Sequence, residues 1–197
     1  MIKGSDIRHA EHPIDQIFLD RWSPRAMSGE DIPLEELLTL FEAARWAPSS
    51  GNNQPWRILY ARRSSEQWPL FFDLLTDSNK VWCDRAAALL VIISCTTFPN
   101  GKPCRTHSYD CGAAWMSLAL QGSMKGYVVH GMEGFDYEQA RNLLKIPDGF
   151  VVEAMAAIGL PGKKDDLPEK LQAREIPNER RPLTQSVNVI LPESQAL

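Results

Sequence analysis

Ala87-Ala88-Leu89-Leu90-Val91-Ile92-Ile93-Ser94 is a continuous apolar run rich in β-branched residues. Its length suits a strand, and apolar side chains at successive positions imply burial on both faces. The rest of the chain has to supply cover for each side of that strand.

Further short strands are expected over 57–60, 128–130, 151–158 and 187–190. Helix patterns lie between them. Ile17 and Phe18 mark a short helix leading into Arg21. Pro33 suits a helix start, and Leu34, Leu37, Leu38 and Phe41 recur at i, i+3, i+4 and i+7 up to about Trp46, before Pro48. Ser64 with Gln67 has the spacing of a capping box, predicting a helix through about Leu75 with Asn79 in the following turn. Residues 108–124 form a helix apolar nearly all round, hence one buried in the core or between subunits. Asp110 in its first turn reads as a cap. Asp136 with Gln139 caps another helix, which ends before Pro147. Residues 162–182 make a long polar connection, a length that usually serves function or wraps a partner. Strands interleaved with helices give a mixed α/β or α+β sheet.

At 197 residues the chain is expected to be one domain, 1–197, with its core over about 17–190. Its net charge of -4 argues against a nucleic-acid partner, which needs a dominant basic face. No apolar run is long enough for a bilayer, and the N-terminal residues lack a signal-like apolar core, so a cytoplasmic protein is expected. Cys104, His107 and Cys111 match no standard zinc spacing; reduced, partly buried thiols are expected and no metal site.

Ala47-Pro48-Ser49-Ser50-Gly51-Asn52-Asn53-Gln54-Pro55-Trp56 joins a helix to a strand. Small polar groups there, stiffened by two prolines, could lie flat against a planar polar ligand; they also suit an ordinary turn. The glycine fingerprints of dinucleotide folds and P-loops do not occur. Together with Arg21-Trp22-Ser23-Pro24-Arg25, Met132-Glu133-Gly134-Phe135-Asp136 and Arg180-Arg181-Pro182-Leu183, this loop resembles the nitroreductase family of flavin enzymes in order and spacing. Met132 stands where the family often has Pro, and Trp22 where a second Arg is common.

The resemblance implies an α+β fold with a central, mostly antiparallel sheet flanked by helices. It implies a homodimer with FMN at the interface, helix 108–124 between subunits, and a C-terminal tail exchanged with the partner. Arg21, Ser23, Arg180 and Arg181 would serve the phosphate end, since Arg offers a fork matched to phosphate oxygens, with Trp22 beside them in the cofactor site but without a phosphate contact. Arg25 and Asn79 would face the pyrimidine edge of the ring, where a cation favours the reduced anion. Met132, Glu133 and Gly134 would bring backbone to the ring; a plain turn is the other reading. Pro48, Ser49, Ser50, Asn52 and Gln54 would reach the partner's flavin. The implied chemistry is ping-pong transfer of hydride from NADH or NADPH to a small acceptor such as a nitroaromatic or quinone. The cofactor does the redox work, so no catalytic acid or base is assigned. Other readings are a redox-silent flavin-binding module, or a superfamily member acting on flavin or on halogenated aromatics.

Overall fold

The computed structural model describes residues 2–188. Its frame is an antiparallel sheet of four strands in the order β1-β2-β4-β3, comprising β1 (Trp56–Arg62), β2 (Ala88–Cys95), β3 (Val128–Met132) and β4 (Phe150–Gly159). The apolar run over 87–94 falls in β2, where Ala88 through Ser94 are all buried.

Its side chains alternate between two cores. Leu89, Val91 and Ile93 face Phe71, Leu74, Trp82 and Ala140 on one side. Ala88, Leu90 and Ile92 face Leu37, Leu40, Ala114 and Leu118 on the other. The first layer holds α3 (Trp68–Phe72), α4 (Asp77–Cys83) and α6 (Tyr137–Leu143); the second holds α2 (Leu34–Arg45) and α5 (His107–Met124). Isolated helices as short as α2 are marginal in water. Burial settles the matter: Leu37 and Leu40 are fully buried, each worth about 1.5–3 kcal/mol.

Asp136 caps α6 as its sequence suggests, accepting from Gln139 N at 2.8 Å. The capping box at Ser64 does not form. Ser64 Oγ turns to Asp31 Oδ2, and α3 begins only at Trp68, with Pro69 in its first turn. Asn79 lies inside α4, not in a turn. Helix α5 is two-faced: Asp110, Cys111, Ala114, Leu118, Ala119 and Gly122 are buried, while Tyr109 is 82% exposed and Met124 62%.

The connection after β4 carries a 3-10 turn at Lys164–Asp166 and the short α7 (Glu169–Gln172). Val187 and Asn188 carry no strand, and the remainder of the strand expected over 187–190 falls outside the described residues. All four cysteines are free thiols; burial pushes the Cys111 thiol up to about 12 and Cys83 higher still. Among the described residues no helix is long and apolar enough to cross a membrane.

Candidate functional site

The short helix α1 (Ile17–Asp20) ends where Arg21 turns extended. From there the chain runs to the end of β4, tied by Ser28 N to Leu160 O and Gly162 N to Ala26 O. This path sets Arg21, Trp22, Ser23 and Arg25 along one wall of a cavity of about 370 Å³, with Arg8, His130, Arg174 and Arg180 around it. Five arginines face Glu179 and, through Arg25, the buried Glu175. The cavity is therefore strongly basic. Arg21 Nη1 lies 3.4 Å from Ser23 Oγ, and its Nε is buried with no hydrogen-bond partner among the described residues. Burial, and then the charge of Arg180, lower the pKa of Arg21 and of Arg8. An anion would relieve both effects. His130 adds no charge at neutral pH: burial holds its imidazole at about 4, and its Nδ1 meets Pro24 O at 2.8 Å.

Arg21 and Ser23 also line a second, larger cavity of about 620 Å³. Its walls are mainly apolar, with Trp115 and Met116 from α5, Met132 from β3, and Met155 from β4. A side chain at Gly131 would put Cβ 2.9 Å from the Trp115 ring, so glycine lets this indole pack directly on β3. Ser108, Glu133, Tyr137 and Glu153 supply the polar groups away from the arginines. The two cavities meet at Arg21 and Ser23, giving one groove with a basic end and an apolar body.

Glu153 reaches the groove through a bulge. Ile92 pairs with Ala154 and Ile93 with Val152, so Glu153 is the extra residue of β4. Its Oε1 accepts from Ser108 Oγ at 2.7 Å and from Ser94 Oγ, and His107 Nδ1 lies 3.3 Å away.

The Pro48–Gln54 loop lines neither cavity of its own chain. It is a strained ledge at the start of α5, with positive φ at Gly51, Asn52 and Gln54. Gln54 N donates to Ser49 Oγ at 2.9 Å, and Gln54 Nε2 to Asn52 Oδ1 at 3.1 Å. Ser50 and Asn52 are exposed.

A solved structure described as an oxidoreductase containing FMN is 47% identical to this chain, with a TM-score of 0.91, covering 95% of this chain and 97% of the other. The family model described as Nitroreductase matches residues 19–81. The chain belongs to the nitroreductase family. A protein of Archaeoglobus fulgidus, provisionally named NADH dehydrogenase/NAD(P)H nitroreductase, is 28% identical over 76% of this chain and 86% of its own length. A nitroreductase family protein of Clostridium difficile shares the fold, with a TM-score of 0.69 at 20% identity over 92% of this chain and all of the other.

The nitroreductase match spans the basic wall, the loop and Asn79, whereas Met132, Glu133 and Arg180 reach the groove from beyond it. Besides the Pro48–Gln54 loop, Asn79, Gly134 and Arg181 line neither cavity. Asn79 spends its amide inside the chain, Nδ2 donating to Gly134 O at 2.9 Å and Oδ1 accepting from Trp82 Nε1 at 3.3 Å. Gly134 is glycine because a Cβ would sit 2.7 Å from Asn79 Nδ2 and 3.0 Å from Thr76 Oγ1. Arg181 lines a separate small cavity beside Ile14, Phe18 and Leu183. Trp22 is 8% exposed and donates from Nε1 to Ile2 O, so it anchors the N-terminal segment under the basic wall. Arg8, Arg174, Trp115, Tyr137 and Glu153 belong to the groove, and no sequence motif marks them.

Proposed function

We propose that this nitroreductase-family chain is an FMN-dependent oxidoreductase that takes hydride from NADH or NADPH and passes it to a small acceptor such as a nitroaromatic or quinone. The observation that carries the reading is the groove, in which a cluster of arginines opens directly into an apolar body. A flavin nucleotide has the same polarity, a phosphate at one end and a flat ring at the other. The unpartnered Arg21 Nε and the clustered charges of Arg8, Arg21 and Arg180 fit a phosphate. The 47% identical FMN-containing oxidoreductase supports the cofactor, and the name of the archaeal relative supports a nicotinamide donor.

In this reading Arg21, Ser23 and Arg180 hold the phosphate, and Met132, Trp115 and Met116 give the ring an apolar bed that excludes water. Bound FMN would supply the two-electron redox chemistry. Arg25, half-buried beside Glu175 at 3.9 Å, brings positive charge to the same wall. The Pro48–Gln54 ledge would complete the groove of a second copy in a homodimer, with the open face of α5 between subunits.

The test is the absorbance of the purified protein after reconstitution with FMN, followed by anaerobic addition of NADH or NADPH. A yellow protein that bleaches supports an oxidoreductase. A yellow protein that does not bleach with either nicotinamide leaves a redox-silent binder, and a colourless one removes the flavin reading.

A further inference from the structure

The side chain of Arg8 is nearly buried, yet the acceptors of its three hydrogen bonds are all backbone carbonyls. Nε donates to Asn178 O at 2.8 Å; Nη1 donates to Arg21 O at 2.7 Å and Leu19 O at 3.0 Å. These carbonyls come from two segments about 160 positions apart, and those segments carry Arg21 and Arg180 into the same cavity. The N-terminal segment is built for this contact. Gly4 O accepts from Arg8 N, and a Cβ on Gly4 would sit 1.8 Å from Leu19 O, so only glycine lets the turn close on α1. Ser5 N donates to Asp20 Oδ1 at 3.3 Å, and Trp22 Nε1 to Ile2 O at 2.9 Å, fastening the same segment at two more points.

A buried guanidinium is costly unless its charge is compensated. Hydrogen-bonded carbonyls occupy its Nε and Nη1 donors but leave its charge, and Arg21 and Arg180 add two like charges at close range. Glu179 is the only acidic residue among those lining the cavity. Such an arrangement is best satisfied by a dianion held between Arg21 and Arg180.

We propose that Arg8 is the positioning residue that sets the preference of this groove for a phosphorylated flavin over an unphosphorylated one. The inference rests on the flavin reading above. Arg8 acts through the carbonyls of Arg21 and Asn178: it fixes the spacing of the two phosphate-facing arginines and adds charge behind them. A lysine at this position could keep the charge but not the fork that spans three carbonyls.

The test measures binding, not turnover. Apoprotein is titrated with FMN and with riboflavin, following quenching of flavin fluorescence, for the wild type, Arg8→Gln and Arg8→Lys. The wild type is expected to favour FMN. In R8Q the ratio of the two dissociation constants should fall by about tenfold, through FMN alone, with riboflavin changed by less than about twofold. R8K should fall in the same direction by about threefold or more. Equal weakening of both ligands in R8Q would make Arg8 an ordinary structural clamp and overturn the proposal. So would an R8K ratio equal to wild type, since the fork would then be irrelevant. Where R8Q does not fold, the R8K ratio decides by itself in the same two ways. Failure of the wild type to bind either flavin would instead overturn the flavin reading, and this inference with it.

Discussion

Ser50 N donates to Asp110 Oδ2 at 3.1 Å, joining the ledge before β1 to the first turn of α5 across 60 positions of sequence. Thr106 Oγ1 donates to the same oxygen at 3.1 Å. Asp110 is 3% exposed, so its carboxylate is a buried clamp and not a cap of its own helix.

Removing that clamp should loosen the ledge before it damages the core. Asp110→Ala is expected to cost about 1–3 kcal/mol, because two donors lose a buried acceptor. Asp110→Asn keeps an oxygen in place and should cost less. Urea unfolding gives the stability, and hydrogen exchange at the Ser50 amide reports the ledge. Unchanged exchange in D110A would show that the positive-φ turn holds itself.

His130 should give the fold a pH dependence on the acidic side. Its folded pKa is about 4, against 6.5 for the free side chain. Between these values the unfolded chain holds more protons, so stability is full above about pH 6.5 and falls as pH drops toward 4. The slope approaches about 1.4 kcal/mol per pH unit and the whole effect roughly 3 kcal/mol. His130→Gln retains a donor for Pro24 O and removes the titration. Its stability curve should be flatter than wild type over that window; parallel curves would place the acid sensitivity elsewhere.

Arg21→Ala should weaken FMN binding by roughly ten- to hundredfold, the worth of one charge-assisted phosphate contact. Arg105, exposed at the surface, is the fitting control. Arg141 would be a poor one, because its guanidinium bonds the carbonyls of Ile146, Pro147 and Phe150 and holds the turn after α6. Equal FMN retention in R21A and R105A would remove Arg21 from the phosphate site.

Gly122→Ala tests the packing of α5 on the sheet. The added Cβ would lie 2.3 Å from Val129 Cγ2, so the Val129 side chain or β3 must shift, whereas Leu40 Cδ2 at 3.5 Å is in ordinary contact. A loss of about 1–3 kcal/mol is expected from overpacking, outweighing the gain of about 1 kcal/mol from replacing a helical glycine. A variant as stable as wild type in urea would mean that Val129 changes rotamer freely.

Features written in neighbouring residues were legible in the sequence. The β2 run, the α2 periodicity and the Asp136 cap are each decided within a few positions. The Ser64 capping pattern failed because a competing partner, Asp31, lies far off in the chain. Asp110 has the position of a cap but not the role for the same reason, its partner being the distant backbone of Ser50. Glu153 enters the groove only because β4 is one residue longer than β2 at the bulge, and register between strands is absent from any single segment. Arg8 and Arg174 lie in stretches without a motif, and only folding brings them to Arg21. Arg21 and Ser23 are legible because their spacing is local.

The Pro48–Gln54 ledge decides whether the functional unit is one chain or two. It is exposed and lies outside its own chain's groove, while Trp46 beside it is 74% exposed and Tyr109 on α5 is 82% exposed. Large aromatic side chains left this open are typical of surfaces that meet a partner. A homodimer would cover them and let each ledge complete the other chain's groove. Subunits carrying Asn52→Ala, mixed with subunits carrying Arg21→Ala, should then form heterodimers with one intact site, because the sound ledge of one faces the sound arginine of the other. If each ledge serves its own chain, every site in that mixture has one defect and none is intact. Flavin stoichiometry on heterodimers purified through two different tags reads the difference directly. One flavin per heterodimer is expected; none, or a monomer in sedimentation at micromolar concentration, would defeat the shared site.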